Sequence, residues 1–513
     1  MNARAKEVTE VNVRSSSTTV LFSLVWLFCG ITWVAAQGPA GPADKVTDTV
    51  KERSSESDKI SRLEDQIEAM QRQLDELKAM VRDLTEQKAK DGKDELAGSS
   101  QGRSETYVAE KPVPSSVPPL PQEKRELGID LGHARLTPYG SIYFNAFSNS
   151  GGTNNADVPL FATLAGRGGT GASLRQTRLG LRLDRFRIGN ANATAVLETD
   201  FFGGFPSVGI GENFGVVRLR LANVRLNWER TSLTVGQDWS LFAPSNPTSL
   251  AAAAIPQLAA SGNNWARLPQ VKIEHNLNSS LALQFAVAAQ QTGDSATNAP
   301  FFLQPNSGSA ARIPFLQGRV AYSRPSMLGT GSPGSVALSG HYGRSRVLIG
   351  TPAVRHDIDS VGVAADWALP LHKRLRLTGE AFFGRNLAGS QGGIFQGYNT
   401  EFALMSGSDL VPGGVRGIAT RGGWIQVGFT PAVLRDRFSL YSSIGIDDPR
   451  DRDLVTIVPR DLRTRNLTYA FDAIYKVTPQ FSIGAEYRRF WSTWTLSGRR
   501  TNNHVNLGAV YSF

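Results

Sequence analysis

The residues whose spacing carries chemistry in this chain are arginines that alternate with leucine and valine. Leu179, Leu181 and Leu183 alternate with Arg178, Gly180 and Arg182; Val217, Leu219 and Leu221 alternate with Arg218 and Arg220. A change of phase near Ala222 points to a β-bulge that turns Arg225 to the same side. Lys272 and Glu274 oppose Val271 and Ile273, Arg374 and Arg376 oppose Leu375 and Leu377, and Arg319 sits against Val320 and Tyr322. A guanidinium stays charged and pairs bidentately with carboxylate or phosphate, so a ladder of such forks along one surface is a path for anions. The alternative is that these cations are matched by acids of the same face, Glu198, Asp200 and Glu380, in a structural network with little charge preference. Both readings are open at this stage.

A period of two demands strands. From about His133 the chain breaks into roughly sixteen such runs, separated by Gly, Pro, Asn and Asp. They lie near 136–147, 173–184, 190–202, 216–229, 231–240, 267–276, 279–290, 312–324, 334–345, 357–369, 373–384, 420–431, 437–447, 461–476, 479–493 and 503–513. Connections after odd-numbered runs are mostly long and those after even-numbered runs short, the alternation of outer loops and periplasmic turns in a transmembrane β-barrel. A bilayer offers backbone groups no partner, so the sheet must close, and only the lipid-facing half of each strand is apolar. A mean hydropathy of −0.22 is therefore no obstacle to a membrane protein of this kind. Arginine on the lipid face would cost about 2–4 kcal/mol at the midplane, so Arg178, Arg182, Arg218, Arg220, Arg225, Lys272, Arg319, Arg374 and Arg376 are expected in the lumen. The connection 241–266 is small, apolar and punctuated by proline, so it either folds back into the lumen and narrows it or forms an Ala-rich surface helix.

The segments before the barrel place it. Of 513 residues, 41% are hydrophobic and 19% charged, with a net charge of +10 and one cysteine. The only apolar run near bilayer length, Val20 to Ala36, follows Arg4, Lys6 and Arg14 and ends in Val34-Ala35-Ala36. It reads as a signal peptide over 1–36, with a single N-terminal anchor helix as the alternative. Cys29 lies within it, so export would leave a chain without disulfides. A flexible segment follows at 37–57. Over 58–88, Ile60, Leu63, Ile67, Met70, Leu74, Leu77, Val81 and Leu84 recur in steps of three and four, the seam of an α-helical coiled coil that self-associates. The heptads do not decide between two strands and three; one helix packed on its own domain is the alternative. Residues 89–132 form a linker rich in proline. Residues 1–130 hold 18 Lys or Arg against 22 Asp or Glu, whereas the remainder holds 37 against 23, and 34 of those 37 are arginine. The positive charge belongs to the expected barrel.

Other chemistries find little support. The six histidines, at 133, 275, 341, 356, 372 and 504, show no local pairing with a nucleophile. Gly168-Gly169-Thr170-Gly171 lacks the Lys-Ser/Thr of a phosphate loop, and no cysteine remains to ligate a metal. No catalytic residue, cofactor, metal or nucleic-acid partner is expected.

The final Asn506-x-Gly508-x-x-Tyr511-x-Phe513 resembles the β-signal read by the barrel-assembly machinery of Gram-negative outer membranes. Leu136-Thr-Pro-Tyr-Gly-Ser-Ile-Tyr resembles the opening strand of a porin. Together with the coiled coil, the linker and Val235-Gly-Gln-Asp-Trp-Ser-Leu-Phe, these features are similar to the DcaP-like family of outer-membrane porins over residues 60 to 513. That resemblance implies a homotrimer embedded in outer-membrane lipid, with its coil in the periplasm, that passes small anions, dicarboxylates among them. A weakly selective porin that also tethers the membrane to peptidoglycan, and a phosphate-type anion porin, are the rival expectations.

Overall fold

A computed structural model describes residues 128–204, 215–294 and 305–513. The expected signal peptide, flexible segment and coiled coil, and the linker up to residue 127, lie outside the described residues. From Ala134 onward the alternating runs form strands. In chain order they are β1 (Ile129–Leu131), β2 (Ala134–Thr153), β3 (Ala162–Ser173), β4 (Arg178–Ile188), β5 (Ala191–Asp200), β6 (Arg218–Asn227), β7 (Thr231–Trp239), β8 (Arg267–Asn276), β9 (Leu281–Ala288) and β10 (Phe315–Arg324). The order continues with β11 (Gly334–Ile349), β12 (Val354–His372), β13 (Leu375–Arg385), β14 (Tyr398–Ser406), β15 (Asp409–Gly417), β16 (Ala419–Phe429), β17 (Phe438–Pro449), β18 (Arg463–Lys476), β19 (Phe481–Trp494) and β20 (Gly498–Ser512).

Sixteen of these, β2, β4–β13 and β16–β20, pair antiparallel with their neighbours in a closed ring. Closure runs through β2, whose first half pairs with β4 from Arg135↔Asp184 to Ser141↔Arg178. Its second half pairs with β20 from Ser141↔Ser512 to Asn149↔His504. No wall strand is left with an open edge, the condition for a sheet to sit in hydrocarbon. The outward face carries exposed apolar side chains around the ring, including Leu179, Leu197, Leu219, Val271, Phe285, Leu338, Phe383 and Ile444. Their partners on the inward parity, such as Glu198, Asp366, Glu380 and Asp472, are buried. This is the pattern of a barrel that crosses a bilayer.

All sixteen expected runs became wall strands, and the structure adds four. The last residues of the expected linker form β1, which pairs with β2 through Ile129↔Leu136. β3 pairs with the outer end of β2, and β14 and β15 form a separate hairpin. Two outer connections expected to be long are tight, at 350–353 and 495–497, because β11–β12 and β19–β20 continue past their apolar stretches. In the first hairpin the extension is held by charge rather than apolar alternation: Arg344 pairs with Asp359 at 2.7 Å and Arg346 with Asp357 at 2.7 Å, directly across the ladder. An alternation of hydrophobicity carries no trace of such strands.

Candidate pore constriction

Segment 241–266 runs inside the barrel, and its own composition explains how. It carries no charged side chain, so it offers backbone N–H groups, amides and hydroxyls to inward-facing residues of the wall. Leu241 N donates to Gln317 of β10 (2.9 Å), Ala243 N to Ser339 of β11 (3.2 Å), and Ser245 N and Oγ to Glu380 of β13 and Asp366 of β12 (3.3 and 3.2 Å). Thr248 N donates to Gln426 of β16 (2.8 Å). Gln257 Nε2 bridges Asp472 of β18 and Glu486 of β19, at 2.9 Å each, while its Oε1 accepts from Ser443 of β17 (2.9 Å). Ser249 also donates to Glu486. On the far side Gln176 Oε1 accepts from the Ala253 and Ala254 N–H groups at 2.8 and 3.0 Å.

The alanines let the backbone lie flat on the wall, and glycine permits the closest contact. Gly262 has φ +95°, and a Cβ there would stand 2.1 Å from the Gly423 carbonyl oxygen. Gly445 in β17 makes the matching space, since a Cβ there would meet the Ser261 carbonyl at 2.2 Å. Ala259, Ala260 and Trp265 then pack with Leu160, Phe161 and Ile394 from other connections and with Trp494 at the end of β19. Of the two conformations weighed for this segment, the structure takes the lumen.

Facing it, β4, β5, β6 and β8 gather an ionic cluster. Arg218 donates to Asp200 through Nε and Nη2 (3.0 and 2.7 Å), the bidentate geometry guanidinium favours. Arg220 bridges Glu198 and Asp200 at 2.7 and 2.8 Å, and Arg178 lies 3.5 Å from Glu198. Arg178 also donates to the Ala253 carbonyl (3.2 Å), while Arg218 and Arg267 converge on the Ala254 carbonyl at 2.8 and 3.0 Å. Four guanidiniums thus meet two carboxylates. Arg220 is 2% exposed and Arg178 13%, but Arg218 keeps 27% of its side chain accessible. The register between β5 and β6 shifts at Glu198/Thr199, which places the bulge beside Arg220 and turns Arg225 toward Ser232 (3.0 Å) and Glu274 (3.9 Å).

The other sequence candidates fall in three places. Arg319 reaches Asp366 at 2.7 Å and Lys272 pairs with Asp238. Arg182, 43% exposed, lies 3.5 Å from Asp184. Arg376 shares the parity of Glu380 but stands at the turn-side end, where it donates to the Pro333 carbonyl (3.3 Å). Arg374 corrects the expectation: it belongs to the two-residue turn between β12 and β13, 3.8 Å from Asp436, and lines no lumen. Strand parity cannot be carried into a turn. Arg267 was missed because it shares the parity of outward Val271 and Ile273, yet its guanidinium lies over the Trp239 and Trp265 rings at 4.9 and 5.0 Å. Gln176 and Gln257, isolated amides in the sequence, carried no signal. At the terminal motif, buried Asn506 accepts from Asn145 (3.1 Å), Gly508 leaves room for Leu250, Tyr511 faces outward, and Phe513 pairs with the Gly140 backbone.

The closed wall, the inward segment and the ionic cluster together can be set beside solved structures. The outer-membrane channel DcaP of Acinetobacter baumannii aligns over 75% of this chain and 99% of its own length, at 18% identity and a TM-score of 0.55. The two chains share a fold. An anion-selective porin from Comamonas acidovorans aligns over 74% of this chain and 100% of its own, at 14% identity and a TM-score of 0.46. No family model and no curated protein matches the chain.

Proposed function

We propose that this protein is an outer-membrane porin through which small organic anions, dicarboxylates among them, diffuse passively. The observation that carries the reading is unequal neutralisation across the lumen. Asp366, Glu380, Asp472 and Glu486 are covered by the 241–266 segment and hydrogen-bonded to it. On the other side four guanidiniums share Glu198 and Asp200, with neutral carbonyls completing their shells. Fixed positive charge beside a low-dielectric wall raises the local anion concentration. The fold shared with a solved outer-membrane channel supports the location and the passive mechanism.

The heptads over 58–88 support a homotrimer joined in the periplasm, and the linker could also bring the coil to peptidoglycan. The Asn506, Gly508, Tyr511 and Phe513 motif supports insertion by the barrel-assembly machinery. Reversal potentials in planar bilayers under a salt gradient test the anion preference. A potential on the anion side is expected, and clear cation selectivity overturns the reading. Cross-linking of the purified protein tests the trimer, and polar replacement of Leu63, Ile67, Leu74 and Leu77 should abolish it.

A further inference from the structure

Three arginines, Arg421, Arg465 and Arg499, leave the lumen pattern and stand on the outward face of the wall, near the outer ends of β16, β18 and β20. Arg421 pairs across the ladder with Asp448, Asp448 accepts from Arg465 of the next strand, Arg465 is opposite Thr493, and Thr493 is opposite Arg499. These positions are consecutive cross-strand neighbours, and strands lie about 4.8 Å apart, so Arg421, Arg465 and Arg499 recur at roughly 10 Å intervals. Arg489 of β19 lies two rungs further in, opposite Tyr469, with its guanidinium 5.1 Å from the Trp491 ring. The single carboxylate, Asp448, is shared by Arg421 (3.3 Å) and Arg465 (3.0 Å), whose side chains remain 75% and 56% exposed. Among the described residues, Arg489 and Arg499 have no carboxylate within 4 Å. Immediately toward the middle of the wall lie Ile446, Leu467 and Trp491, then Ile444 and Tyr469 level with Arg489, and then Phe471 and Tyr487, a face edged by aromatic rings.

We propose that this patch binds the phosphorylated glycolipid headgroups of the outer leaflet. The inference rests on the outer-membrane location proposed above. Aromatic rings mark headgroup depth on a membrane protein. Guanidiniums just beyond them meet phosphates, which they bind bidentately and which would complete the charge that Asp448 leaves unmatched. A second copy of this chain is the weaker occupant. The carboxylates on the outward face of the β11–β12 hairpin, Asp357 and Asp359, are already held by Arg344, Arg346 and Arg355, so that hairpin has no free acidic surface to offer.

The test is binding of bis-phosphorylated lipid A to the full-length protein in detergent, followed by native mass spectrometry, with phosphatase-treated lipid A and phosphatidylglycerol as parallel probes. Intact lipid A should bind at least tenfold more tightly than the dephosphorylated form and survive competition by phosphatidylglycerol. The triple variant R421Q/R465Q/R499Q, checked for a folded barrel by its heat-modifiable gel mobility, should lose that tenfold. Equal binding of both lipid A forms to the wild type overturns the proposal without reference to any variant, as does unchanged binding by a folded triple variant. Disulfide-linked oligomers formed through Arg465→Cys would show that the patch faces protein, and would overturn it too. Loss of the anion preference with lipid binding intact would count against the porin reading instead.

Discussion

Gln257→Leu tests whether the inward segment is seated by its polar clasp. The side chain is fully buried and of similar size to leucine, so the change removes hydrogen bonds with little change in volume. Three are lost: Nε2 to Asp472, Nε2 to Glu486, and Ser443 to Oε1, each 2.9 Å. Bonds to charged groups contribute about 1.5–3 kcal/mol each and a neutral one about 1 kcal/mol, and non-additivity leaves a net loss of at least about 3 kcal/mol. At about 1.4 kcal/mol per factor of ten, the ratio of unseated to seated segment rises roughly a hundredfold or more. The wall ladder does not pass through Gln257, so the barrel itself should assemble. Single-channel recordings should show larger, noisier conductance steps, and added protease should cut within 241–266. A folded variant with wild-type conductance, noise and protease resistance would refute the clasp.

Four further outcomes follow from the same geometry. Arg218→Gln should move the reversal potential toward zero while the barrel still folds, because Arg220 continues to hold Asp200; Arg220→Gln should instead lower stability by about 3–5 kcal/mol in denaturant titrations, since it strips two buried carboxylates of their shared partner. Gly262→Ala places a methyl 2.1 Å from the Gly423 carbonyl at a left-handed φ, so conductance should rise as after loss of the clasp; an unchanged trace would mean the segment tolerates displacement. Leu179→Arg should cost about 2–4 kcal/mol in refolding into vesicles, because Leu179 faces outward, and a neutral result would mean that it does not face lipid.

The wall was legible in the sequence because a bilayer enforces alternation: most lipid-facing positions, from Leu179 to Val505, had to be apolar whatever their neighbours did. Where lipid stops acting, the signal stops as well. The Arg344–Asp359 and Arg346–Asp357 rungs of the β11–β12 hairpin are polar on the outward face, and the β14–β15 hairpin stands apart from the wall, so neither shows a period that hydrophobicity could reveal. The cluster was half legible. Arg178, Arg218 and Arg220 announced themselves by parity, but their degree of neutralisation depends on Glu198 and Asp200 being adjacent in register, which only pairing fixes. Arg267 was hidden because a strand's first residue need not obey the parity of its middle.

Under the proposed function, selectivity and constriction are one device rather than two. A charged inward segment would impose its own sign on the lumen; this one is neutral, and it acts by covering Asp366, Glu380, Asp472 and Glu486 while leaving Arg218 accessible. Arg319 and Arg488 each lie beside one of those acid pairs, so uncovering the wall would expose more negative than positive charge there. Deleting residues 245–262 and bridging the gap should therefore do two things together in bilayer recordings: raise conductance, and reduce or invert the anion preference. If the segment were only a steric narrowing, conductance would rise with the reversal potential unchanged. That result would return the origin of selectivity to the arginine side alone.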